Sequence, residues 1–251
     1  MVEARTAFES EESMTLQGAV MLYGNSTTGA SFATAHGVAL NDQNIPALLE
    51  GHPLTMQTIN GLVAAVAKGA ESKRNFNGYL PENVLAVGIG SIIWWLPAED
   101  RHVSFECREE IIGTASGTTP HPSLVFGVAN NGDWSVFAVK GKVRPTPETK
   151  LWQAPYFNVW SNGKICRGTS KVPKGATAQQ IEGWNKAFFG SNFSHPNVHA
   201  PKKLVNYSGG SYQFWRDMLD GNHGRFPLRA LVETPYTLND FITANMNGGS
   251  L

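Results

Sequence analysis

Between Val84 and Val139 the chain is a succession of short apolar runs, each broken by glycine, proline or asparagine and none as long as an ordinary helix. Val84 to Val87 and Ile92 to Leu96 flank Gly88-Ile89-Gly90-Ser91, the second run stops at Pro97, and a further run, Val103 to Glu106, follows. Leu124 to Ala129 and Trp134 to Val139 are joined by Asn130-Asn131-Gly132-Asp133. Runs of this length, rich in β-branched and aromatic residues, predict strands, and the Asn- and Gly-rich link predicts a hairpin. Together they predict an antiparallel meander.

The flanks read differently. Gly18 to Tyr23 and Ser31 to Val38, separated by the turn cluster from Gly24 to Gly29, predict a β-hairpin, and Thr55 to Gly69 has apolar residues at helical spacing with Thr55 available as a cap. After the meander a stretch with Pro145, Pro147 and Pro155 excludes a central strand and predicts irregular, exposed backbone. Helices are predicted over Thr177 to Phe189, Ser211 to Leu219 and Leu238 to Ala244. Strands and helices are thus segregated rather than alternating, which argues for an α+β fold. The polar segment to about Ser13 and the Gly- and Asn-rich tail are expected to be loose.

Composition excludes several classes. With 41% hydrophobic residues, including 13 Phe and 7 Trp, and only 16% charged residues, the 251-residue chain can bury a sizeable core. Twenty basic residues balance twenty acidic ones without clustering, so no nucleic-acid or anionic-lipid footprint is expected. No run approaches the roughly 20 apolar residues of a membrane span and the first residues lack an apolar signal core, which predicts a cytoplasmic protein with no membrane partner. No HExxH, GxxxxGK or GxGxxG signature occurs, so neither a metal nor a nucleotide cofactor is expected.

The chemistry-bearing feature lies in the irregular segment. Cys166, one of only two cysteines, follows an Asn162-Gly163 turn, and Asn158 stands eight positions upstream. Pro and Gly punctuation predicts an exposed thiol at Cys166, whereas Cys107 ends an apolar strand pattern and reads as packing. An accessible thiol suits acyl transfer through a thioester. A fixed carboxamide N–H aimed at the developing oxyanion would assist it, which makes Asn158 a candidate donor, although an asparagine before a loop commonly bonds its own backbone instead. Asn162-Gly163 reads as a tight turn requiring positive φ. His195, 29 residues beyond Cys166, could orient or deprotonate an incoming amine, or be a plain loop histidine; His199 is a weaker substitute. His121-Pro122 reads as a turn, and Trp94-Trp95 predicts one indole in the core and one covering an edge or partner surface.

The segment Asn158-Val159-Trp160-Ser161-Asn162-Gly163-Lys164-Ile165-Cys166 resembles the active-site segment of ubiquitin-conjugating enzymes, which carry a His-Pro-Asn tripeptide, an Asn-Gly turn and an Ile-Cys pair at this spacing. Here Tyr156 and Phe157 stand where the His and Pro would be, while the Asn, the turn and the Cys are kept. Pro81-Glu82-Asn83-Val84, Trp94-Trp95-Leu96-Pro97, His121-Pro122-Ser123-Leu124 and Phe214-Trp215-Arg216-Asp217 are further similar to the PRTRC system protein B family, a bacterial branch of the ubiquitin-conjugating superfamily. The resemblance covers roughly Asn83 to Leu231.

It implies a ubiquitin-conjugating-like core of a helix, a four-stranded antiparallel meander, a cysteine-bearing loop and C-terminal helices, with the ubiquitin-conjugating-like domain over 81–245, after an N-terminal β-rich extension over 1–80, a hairpin plus a helix partly packed on that core, and before a flexible tail over 246–251. It also implies a bacterial, often plasmid-borne cassette whose other members, a ThiF-like activating protein, a ubiquitin-like protein and a JAB-type protease, would be the partners. In that branch a histidine after the cysteine is proposed to replace the missing one, and His195 fits the position; His195-Pro196-Asn197, on the wrong side of Cys166, is read as no tripeptide. The implied function is a transferase that carries a ubiquitin-like protein as a thioester on Cys166 and passes it to an amine. The alternatives are an inactive scaffold of the same fold, or a cysteine hydrolase using Cys166, His195 and an acid such as Asp217.

Overall fold

In the computed structural model the described residues are 16–24, 31–42, 45–59, 79–168, 170–199, 203–247 and 251. The segment to Ser13, the turn cluster after Gly24, most of the predicted helix from Thr55 to Gly69 and most of the C-terminal tail lie outside them; of that helix, residues 56–59 are described and are helical. The chain divides into two compact units, 1–75 and 76–251. Among the described residues no helix is long and apolar enough to cross a membrane.

The first unit carries a three-stranded antiparallel sheet in the order β1 (Gly18–Gly24), β2 (Ser31–Leu40), β3 (Pro46–Pro53). The first two are the segments read as a hairpin. The third was not legible because prolines stand at both its ends and Gly51 interrupts it, weakening every strand signal it carries.

The second unit is α+β and mostly sheet. Its main sheet has six strands in the order β12 (Glu233–Thr237), β10 (Lys150–Gln153), β9 (Trp134–Val139), β8 (Ser123–Val128), β5 (Ser91–Leu96), β4 (Val84–Gly88), every neighbouring pair antiparallel. The run at Val103 does not join it. Instead β6 (Asp100–Glu106) and β7 (Thr114–Pro120) form a hairpin inserted between β5 and β8, extended by the two-residue β11 (Asn192–Phe193), which pairs parallel with β6. Among the described residues three α-helices complete the unit: α1 (Ile181–Phe189), α2 (Gly210–Leu219) and α3 (Leu238–Met246).

Cover on both faces explains why β5, β8 and β9 read as continuous apolar runs rather than alternating ones. Alternate residues feed two clusters. Trp94, Phe126 and Trp134 pack with Trp184 and Phe188 of α1 and with Phe214 and Trp215 of α2, while Ile93, Trp95, Val125 and Phe137 pack with Leu238 and Phe241 of α3. Trp94 stacks on its cross-strand partner Phe126 at 5.4 Å, and Trp134 meets Trp184 at 5.1 Å. Each fully buried aromatic removes roughly 150–250 Å² from water, on the order of 5 kcal/mol before entropy is charged. Both indoles of Trp94-Trp95 are therefore buried; the one expected to face an edge or partner lies under α3.

His121 also departs from its reading as a turn residue: its ring is buried, with Nδ1 2.6 Å from the Tyr156 hydroxyl and Nε2 3.1 Å from Thr119 Oγ1. Burial, with the nearby Arg101 charge, lowers the imidazole to about 3. The ring is neutral in the fold, whereas the unfolded chain takes up a proton below about pH 6.5. This contribution to stability is full at neutral pH and is lost as pH falls from about 6.5 towards 3. Urea titrations are expected to show wild-type stability falling by about 2 kcal/mol more between pH 7 and pH 5 than that of His121→Gln; parallel pH profiles for the two proteins would refute the assignment.

Candidate functional site

The cysteine segment is a tight hairpin laid against β9. β10 pairs with the far half of β9, Gln153 opposite Phe137, and after the buried residues Ala154 to Phe157 the chain doubles back along the near half. Val136 N–H donates to Gly163 O at 2.8 Å and Ile165 N–H to Trp134 O at 2.8 Å. Within the hairpin Val159 bridges Ile165, Trp160 N–H donates to Lys164 O at 2.9 Å, and Cys166 N–H donates to Asn158 O at 2.7 Å. The eight-residue separation of Asn158 and Cys166 thus becomes direct backbone contact.

Gly163 makes the turn possible. Its φ is +81°, and a Cβ there would fall 2.4 Å from the Phe137 ring, so both conformation and space exclude a side chain. Lys164 N–H donates to Asn162 Oδ1 at 3.2 Å, closing the Asn-Gly turn as read from the sequence. Upstream, Tyr156 and Phe157 are fully buried; Phe157 meets Phe105 of β6 edge-on at 5.5 Å, and Trp215 Nε1 donates to Pro155 O at 2.7 Å.

Asn158 follows this anchor with φ +61°, the one non-glycine among the described residues with positive φ. Such a conformation is uncommon outside glycine and persists where the surroundings determine it. Here they do. Asn158 N–H donates to His195 O at 2.9 Å, Nδ2 donates to Asn192 O at 3.0 Å, and Oδ1 accepts from Ser194 N–H at 3.3 Å and Ser194 Oγ at 2.8 Å. Ser194 Oγ also lies 2.9 Å from His195 Nδ1. The carboxamide serves as a brace rather than bonding its own backbone, and one of its two Nδ2 protons is committed to Asn192.

Cys166 is exposed and its sulfur has no hydrogen-bond partner among the described residues. Its cationic neighbours face elsewhere: Lys164 Nζ pairs with Asp133 at 2.9 Å, and the Arg167 guanidinium sits 5.9 Å over the Trp184 ring. His195 is exposed and joined to the site through Asn158; His199 is exposed and takes no part in the network. Cys107 is half-buried, with Sγ 3.5 Å from Phe193 O, and burial pushes its thiol up to about 11.

The structure therefore brings Cys166, Asn158 and His195 to one place. It does not bring Asp217, whose carboxylate accepts from Tyr207 at 2.6 Å and Gln213 at 2.9 Å, and no hydrogen bond links Cys166 Sγ to His195 among the described residues. Among the described residues the hydrolase arrangement has no acid behind its histidine, whose Nδ1 faces Ser194 Oγ. Sequence reasoning missed Asn192 and Ser194, which hold the Asn158 side chain.

Residues 58–234 match a family model described as prokaryotic E2 family D, well over half of the chain. The chain belongs to prokaryotic E2 family D. It is accordingly of the ubiquitin-conjugating-like kind, and the matched span contains the hairpin, Cys166, Asn158 and His195. No curated protein and no solved structure matches this E2-family chain.

Two outcomes check this geometry. Gly163→Ala is expected to cost about 2 kcal/mol or more, read as a fall in Tm, because it adds backbone strain to a clash with Phe137. A brief maleimide pulse at neutral pH is expected to modify Cys166 well before Cys107 in peptide mass spectra, because the half-buried Cys107 is held in the thiol form; equal labelling would contradict the site.

Proposed function

We propose that this protein accepts the C-terminus of a ubiquitin-like protein as a thioester on Cys166 and transfers it to an amine, within a bacterial PRTRC-type cassette. Its partners there are a ThiF-like activating protein, which supplies the acyl group, the ubiquitin-like protein, and a JAB-type protease. The observation that carries the reading is the hydrogen bond from Cys166 N–H to Asn158 O, which joins the backbone of an exposed cysteine to that of an asparagine whose carboxamide is fixed by other partners. Membership of the prokaryotic E2 family supports the same chemistry.

The steps follow from the groups present. The Cys166 thiolate attacks the activated carboxyl carbon, the activating partner's leaving group departs, and a thioester forms. An amine nitrogen then attacks that carbonyl carbon. Negative charge gathers on the oxygen, where the second Asn158 Nδ2–H stabilises it. The amine proton leaves, the C–S bond breaks, and the Cys166 thiolate is regenerated. His195 assists the incoming amine. An inactive scaffold is disfavoured because the thiol is exposed rather than packed away.

Incubation with the cassette's activating protein, ATP and ubiquitin-like protein is expected to give a thiol-sensitive adduct that Cys166→Ala abolishes. Asn158→Gly, which accepts the positive φ but removes the carboxamide, is expected to form the thioester yet discharge it to lysine on the order of a hundredfold more slowly. Absence of the adduct with wild-type protein sinks the proposal; unimpaired discharge by Asn158→Gly removes Asn158 from it.

A further inference from the structure

We propose that Ser194 is a positioning residue that fixes the tautomer of His195, leaving Nε2 unprotonated as the base for the incoming amine; this rests on the acyl-transfer reading above. Hydrogen-bond direction decides the tautomer. Asn158 Nδ2 meets the carbonyl oxygen of Asn192 at 3.0 Å, and Asn158 Oδ1 meets the backbone N–H of Ser194 at 3.3 Å. A carbonyl can only accept and a backbone N–H can only donate, so the orientation of the Asn158 carboxamide is fixed twice over.

Its oxygen, an acceptor only, then lies 2.8 Å from Ser194 Oγ. Two oxygens at that separation need a proton between them, and only the serine has one to give. The hydroxyl proton is thereby committed to Asn158, and Ser194 Oγ can offer only a lone pair to His195 Nδ1, 2.9 Å away. The proton on that line must belong to the ring: Nδ1 carries it, and in the neutral imidazole Nε2 is left with a free lone pair. His195 is exposed and no other side chain competes for the ring among the described residues.

The same brace serves both halves of the reaction. The Asn158 backbone joins Cys166 through its carbonyl and His195 through its N–H, so the oxyanion donor and the base are set by one residue. As the amine nitrogen bonds to the thioester carbon, its proton passes to His195 Nε2. The C–S electron pair leaves with Cys166, and the proton carried by the imidazolium returns to solvent. No additional reactant is required.

The test reads the ring directly. Long-range proton–nitrogen correlation spectra of the full chain, labelled with ¹⁵N-histidine, assigned with a His195→Gln control and recorded at mildly alkaline pH, are expected to show Nδ1 protonated in wild type. Ser194→Ala is expected to move the ring towards the Nε2-protonated form, and Ser194→Thr, which keeps the hydroxyl, to restore wild-type signals. In parallel, Cys166 is acylated by exchange with a small glycyl thioester and discharged to free lysine. Ser194→Ala is expected to slow that discharge on the order of tenfold, less than loss of a general base altogether, and Ser194→Thr to recover the rate. A wild-type ring protonated on Nε2, a ring unmoved by Ser194→Ala, or an unchanged discharge rate overturns the proposal. Failure of the activating-protein reaction would sink the acyl-transfer reading instead and leave the ring assignment standing.

Discussion

Everything around Cys166 depends on how one edge of β9 is shared. The far half of that edge takes β10 and the near half takes the return strand of the cysteine hairpin, so the irregular segment inherits the precision of a sheet ladder without being a strand. Between the two pairings the chain is pinned by buried Tyr156 and Phe157, and the residue that emerges from this anchor is Asn158. A thiol on a free loop would sample many positions; this one hangs from a hydrogen-bonded frame that includes buried Trp134, Val136, Val159 and Ile165.

Tyr156 and Phe157, where the resemblance to ubiquitin-conjugating enzymes leads one to expect His-Pro, are core residues. Tyr156 sends its hydroxyl to His121 deep in the core, and Phe157 packs on Phe105 of the inserted β6–β7 hairpin. The same insertion supplies the strand against which β11 pairs, and β11 carries Asn192, whose carbonyl holds the Asn158 side chain. Residues far apart in sequence thus converge on one carboxamide. The left-handed conformation of Asn158 is sustained by bonds from both sides rather than by its own turn.

What the sequence made legible is what local chemistry dictates. The Asn162-Gly163 turn, the exposure of Cys166 and the strands of the meander follow from turn residues and apolar runs, and each of the three predicted C-terminal helices is present within a few residues of its expected ends. What stayed hidden depends on distant partners. The departure of β6 from the main sheet leaves no local trace, because Val103 and Phe105 alternate as they would in any half-buried strand. β12 was invisible because Pro235 argues against a strand, and its edge position is what tolerates that proline. Asn192 and Ser194 act from a two-residue strand and the step after it, too short to carry any period. His121 looked like a turn residue because a proline follows it, when its ring points inward.

Helix α3 has a consequence for how this molecule meets others. Phe241 sits so close to β8 that a Cβ on Gly127 would fall 2.6 Å from its ring, and it packs edge-on against Phe137 at 5.1 Å. That part of the sheet is sealed by the chain's own last helix. Those strands offer no open face beneath that helix, whereas the hairpin along the edge of β9 keeps its thiol in solvent.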